Sequence, residues 1–129
     1  MKTLNTWAFI CLLSLCGCKK DSTSSSTLGS LDIQVSGLTD KTSLNIVAIK
    51  STMNTPFYHI TNRFGNKTYS TPATAAIGDK ITITVTANVD DNLAGDGDGN
   101  VVFYFKGKNI GGHGGIIGKA GFTQQVVIQ

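Results

Sequence analysis

KITITVTANV, Lys80 to Val89, decides the fold. Ile81, Ile83, Val85, Ala87 and Val89 share one parity, and Thr82, Thr84, Thr86 and Asn88 share the other. Side chains alternate across a strand but recur every 3.6 residues on a helix, so this pattern gathers every apolar group on one face only if the segment is extended. The β-branched Ile, Val and Thr residues suit a pleated, half-buried surface. Gly78-Asp79 just ahead supplies turn chemistry. One such strand requires a sheet with one face covered, and the rest of the chain should provide the cover.

Leu31, Ile33 and Val35 alternate with Asp32, Gln34 and Ser36, a second half-buried strand. GLTDK, 37–41, is a turn, and Thr42 to Lys50 is a further strand with Leu44, Ile46 and Ala48 in phase. The two are expected to form a hairpin. Val47 and Ile49 fill the other phase, which implies cover on both sides or a bulge. Phe57 to Ile60 is a short aromatic strand, NRFGNK a turn, and Thr68 to Ser70 an edge strand stopped by Pro72. Asp90 to Asn100 is expected to be a Gly/Asp loop, and Val101 to Lys106 a strand. Lys108 to Ile110 continues it after a bulge or turn at Gly107. Gly111 to Gly118 is too glycine-rich for an ordinary strand interior, and Phe122 to Gln129 closes the domain.

No segment after residue 30 has the length and period of a three-turn helix. The expected fold is all-β: a two-sheet, immunoglobulin-like sandwich of about seven short antiparallel strands spanning 31–129, without a disulfide. Ile83, Val85, Phe103, Phe105, Val126 and Ile128 should meet in its core.

The first residues read differently. Lys2 gives a positive start, and WAFICLLSL, Trp7 to Leu15, is a run without charge. It is far short of the roughly 20 residues that span a bilayer and fits the apolar core of an export signal. Leu15-Cys16-Gly17-Cys18 then resembles the lipobox of bacterial lipoproteins: an apolar residue, two small ones, and the cysteine that becomes the N-terminus. The resemblance implies a diacylglyceryl group on the Cys18 sulfur and cleavage just before it. Residues 1–17 would be the signal peptide. Residues 18–30, the lipidated Cys and KKDSTSSSTLGS, would be a flexible tether too polar to fold. Cys16 in the middle position departs from the commonest pattern. It is the rival site, preceded by the bulky Leu15 where the motif places a small residue.

Lys19 lacks the acidic residue of inner-membrane retention, and CKKD resembles the surface-export tether of Bacteroidetes lipoproteins with fewer acids. The implied address is the cell envelope, with palmitate-type acylation and the outer membrane favoured. With Cys11 and Cys16 removed, only Cys18 survives, so disulfides and a Cys-based metal site are not expected. The order of elements in the body also resembles small exported β-sandwich lipoproteins of Bacteroidetes and, more loosely, the periplasmic domain of mycobacterial small membrane proteins. That similarity brings no catalytic residues with it.

The net charge is +3, with scattered lysines and Arg63 the only arginine, so no basic stripe argues for nucleic acid. Asp96, Asp98 and Asn100 alternate as three oxygen ligands would for Ca²⁺, the one cofactor the sequence suggests. The EF-hand pattern is not met, since Val101 stands where Gly is required and Gly107 where Glu is. The plainer reading is a polar turn. His113, in GGHGG, is expected as an exposed loop residue; as a base it needs partners, and His59 is the only other imidazole. Tyr58, Tyr69 and Tyr104 are candidates for a shallow ligand surface, against ordinary strand aromatics. All eight acids are Asp, and no nucleophile-elbow or metalloprotease motif occurs. The function expected is therefore a non-enzymatic, lipid-anchored module, structural or protein-binding. The alternative is a carbohydrate- or calcium-binding module using the 90–100 segment or the exposed aromatics. Expected partners are membrane lipid and an envelope protein or glycan.

Overall fold

In the computed structural model, residues 28–39, 42–88 and 98–129 are described. Eight strands form: β1 (Leu31–Ser36), β2 (Ser43–Lys50), β3 (Tyr58–Phe64), β4 (Thr68–Ser70), β5 (Lys80–Asn88), β6 (Asp98–Phe105), β7 (Lys108–Ile116) and β8 (Phe122–Val127). They make two antiparallel four-stranded sheets, ordered β4-β1-β6-β7 and β3-β2-β5-β8. The fold is an all-β, two-sheet, immunoglobulin-like sandwich. It has one strand more than expected, because Lys108 to Ile116 is a strand of its own. No cysteine lies among the described residues.

The alternation at Lys80 to Asn88 holds along β5. Ile81, Ile83, Val85 and Ala87 are fully buried, while Thr82, Thr84 and Thr86 are half-buried on the outer face. All six expected core residues are buried, from Ile83 in β5 to Ile128 after β8. Val47 and Ile49 of β2 are half-buried on the outer face, but β2 is not bulged: it pairs residue for residue with β5, and where its register against β3 shifts between Leu44 and Ile46 the extra residue belongs to β3, between Arg63 and Ile60.

Three expectations fail. First, β1 and β2 form no hairpin: β1 pairs with β4 and β6, β2 with β3 and β5. The connection crosses between sheets because Leu38 plugs the core at 5% exposure. The Asn66 side chain holds Leu38 there, accepting from its N–H at 2.9 Å and donating to its carbonyl at 2.8 Å. Second, Asp98, Gly99 and Asn100 belong to β6, laddered to Ser36 on one side and to Gly114–Ile116 on the other. Third, GGHGG lies inside β7. Backbone pairing with β6 holds that strand, and its glycines admit the neighbours. A Cβ on Gly112 would stand 2.5 Å from the Val101 carbonyl oxygen, and one on Gly111 2.8 Å from Gln124 Nε2.

The β6–β7 hairpin turns on Lys106 (φ 49°) and Gly107 (φ 78°), both in the left-handed region, as a two-residue type I′ loop requires. One bulge follows it. Phe103 pairs with Gly111 but Tyr104 with Asn109, so Ile110 is the extra residue and tucks against the core.

The Gly78–Asp79 turn fastens the closing segment. Gly78 N–H donates to the Ile128 carbonyl and Ile128 N–H to the Asp79 carbonyl. The Asp79 carboxylate accepts from Ala76 N–H at 2.9 Å and pairs with Lys50 Nζ at 2.8 Å. The Lys50 ammonium and the Ala76 amide both hold the Asp79 carboxyl below its ordinary value of 3.8. The unfolded chain then binds more protons than the folded one in acid, so this contribution is present above pH 3.8 and lost as pH falls through the lowered value. Asp79→Asn should cost roughly 1–2 kcal/mol at neutral pH, a charge-assisted bond in a partly exposed site. It should also flatten the acid limb of stability, read by thermal melts across the acid range.

Candidate functional site

The sequence nominated residues that the fold distributes over the whole sandwich. Cys18 and Asp96 lie outside the described residues. Asp98 opens β6 and is exposed, and Asn100 follows on the same parity. The Asn100 amide leans over β7, its Oδ1 2.7 Å from where a Gly114 Cβ would stand. Among the described residues no group of three or more His, Cys, Asp or Glu is placed to hold a metal ion.

The tyrosines do not form one surface. Tyr69 is a core residue at 6% exposure, with its hydroxyl donating toward the carbonyls of Gly65 at 3.2 Å and Phe64 at 3.4 Å. Tyr58 shares the inward parity of Ala48, opposite it on β2, and is half-buried against the core. Burial pushes both phenols above their ordinary value of 10.0; for Tyr69 the Tyr58 phenol adds to the rise, and Arg63 pulls both back. Tyr104 lies on the outer face of the other sheet, between Asp32 and Asn109. Thr68-Tyr69-Ser70 alternates as an amphipathic edge strand should, and its single inward residue is the tyrosine.

The histidines are also separated. His59 is exposed on β3, at one edge of its sheet, while His113 lies on β7 beside the opposite edge. His113 is half-buried rather than an exposed loop residue. It shares the inward parity of Val101, and its ring stacks on Phe122 of β8 at 4.3 Å and 16°. Phe122 in turn lies 6.2 Å from the Phe103 ring. The imidazole thus closes the seam where β7 and β8 bring the two sheets together.

One feature was not nominated. The outer surface of the β6–β7 hairpin carries an open depression of about 430 Å³, lined by Asn100, Val102, Asn109, Gly112, His113 and Gly114. The glycines leave a bare backbone floor, and two amide side chains border it. The signal was the GGHGG run itself, once it is placed on a strand.

No protein family, curated protein or solved structure matches the chain. Its role therefore rests on its own residues.

Proposed function

We propose that the protein is a lipid-anchored component of a bacterial cell envelope whose sandwich acts as a structural or protein-binding module without catalysing a reaction. The observation that carries this reading is Leu15-Cys16-Gly17-Cys18, placed after a charge-free run and before a polar tract. That tract ends where the sandwich begins: Gly29 and Ala75 exchange two backbone hydrogen bonds, at 2.7 and 3.0 Å, immediately before β1. The anchor and the folded body are thus joined by a short polar link. Lys19 after Cys18 favours the outer membrane.

The non-catalytic half of the proposal draws on how the reactive groups are used. His113 packs on Phe122, Tyr69 fills the core, and Asp79 serves a turn. Two or three acyl chains at roughly 0.8 kcal/mol per buried CH₂ make attachment effectively permanent, so no part of the sandwich need be apolar enough to hold it. Washing isolated envelopes at high salt and alkaline pH tests the anchor. The protein should stay with the lipid; release into the wash would contradict the proposal.

A further inference from the structure

The end of the sandwich from which the N-terminal segment leaves carries a concentration of lysine and exposed apolar side chains. Lys50 closes β2, Lys80 opens β5, Lys106 is in the β6–β7 turn and Lys108 opens β7. The registers place them together: Lys50 lies opposite Ile81, Lys80 opposite Val127, and Phe105 opposite both Leu31 and Lys108. Lys50 also donates to the Thr74 carbonyl, next to the Gly29–Ala75 bridge. The Lys106 side chain runs beside Gly29, its Cε 3.0 Å from where a Cβ would be. Four of the six lysines among the described residues are therefore at this end; Lys67 and Lys119 are at the other.

Large apolar side chains stand exposed among them: Leu28 at 47%, Met53 at 41% and Ile77 at 60%. Leu28 precedes the bridge, Met53 is in the turn after Lys50, and Ile77 precedes the Gly78–Asp79 turn. Among the described residues, the acidic side chains here are Asp79, already bonded to Lys50, and Asp32 on the outer face of β1. The lysines outnumber them.

We propose that this end is a seat on an anionic bilayer surface, with Lys80, Lys106 and Lys108 meeting lipid phosphates and Leu28, Met53 and Ile77 entering the headgroup layer. Basic and apolar groups presented together are what an interfacial surface requires. Each lysine near an anionic surface contributes about 1 kcal/mol, an attraction that fades within a Debye length of about 8 Å. The geometry supplies the proximity. Nine residues separate Cys18 from Leu28, and a coil of that length reaches about 17 Å. With the anchor in the membrane, this end is held near the lipid at high effective concentration. The inference rests on the anchored reading and adds an orientation to it.

The test is amine-reactive labelling of the intact acylated protein in vesicles of phosphatidylcholine alone or mixed with phosphatidylglycerol, read lysine by lysine. Labelling of Lys80, Lys106 and Lys108 should fall about fivefold on the anionic vesicles, the factor matching roughly 1 kcal/mol per site. It should recover at high salt, while Lys67 stays unchanged. Leu28→Ser, Met53→Ser and Ile77→Ser together should weaken the protection without altering the fold, since all three side chains are exposed. Equal labelling of the three lysines on both vesicles would overturn the inference. If the isolated protein carries no acyl mass, the anchored reading has failed separately. The same chain is then sedimented with the two vesicle types. Binding to anionic vesicles that is lost in K80Q/K106Q/K108Q still supports the seat, and no binding overturns it.

Discussion

Phe103→Ala is expected to lower the unfolding free energy by about 3–5 kcal/mol, well beyond the cost of Asp79→Asn. Phe103 is fully buried at the centre of β6, between Ile33 on β1 and Gly111 on β7. Its ring lies 6.2 Å from that of Phe122, so it joins the two sheets. Removing it leaves a cavity that the flanking strands, fixed by their ladders, close only in part. A small domain has about 5–15 kcal/mol of stability in all, so much of it would go. Tyr104, the next residue, is half-buried on the outer face, and Tyr104→Ala should cost far less. Urea denaturation of both variants checks the pair. A larger loss for Tyr104→Ala than for Phe103→Ala would mean that the register of β6 is slipped by one residue, because a slip exchanges the two faces.

Cys18→Ala is expected to abolish acylation completely. The lipid that the lipobox resemblance implies is carried on the Cys18 sulfur, and alanine has no atom to bear it. Cys16→Ala should leave acylation intact, since alanine also satisfies a small middle position ahead of Gly17-Cys18. Growth with a labelled fatty acid, followed by gel analysis, separates the two variants. Label retained in Cys18→Ala and lost in Cys16→Ala would move the anchor to Cys16 and lengthen the tether by two residues.

Much of the fold was legible because alternation reports which face of a strand is covered. It gave β1, β5 and the buried parity of β2 directly. Alternation does not report which strand lies alongside, and there the reading failed. GLTDK has the composition of a hairpin turn, yet Leu38 within it is apolar and goes to the core, so the chain crosses to the other sheet. Strand preference is also judged from side chains, whereas β7 is held by its backbone ladder to β6. Glycine there is a condition of close approach, and the same residues looked like a break in the sequence. Asp98 to Asn100 misled for the same reason.

The candidate sites were less legible than the strands. A tyrosine in a short edge strand reads alike whether it faces solvent or core, and Tyr69 faces the core. The stacking of His113 on Phe122 joins strands that are consecutive in the chain but belong to different sheets. The lysine end was hidden because its residues are spread from 50 to 108, and only the strand registers bring them to one place.

The central claim is the anchor at Cys18, and the intact mass of the protein extracted by detergent from the envelope tests it most directly. The expected species begins at Cys18 and exceeds the mass of residues 18–129 by a glycerol unit and about two or three acyl chains. A chain that begins at Lys19, or upstream of Cys18, and carries no acyl mass would contradict it.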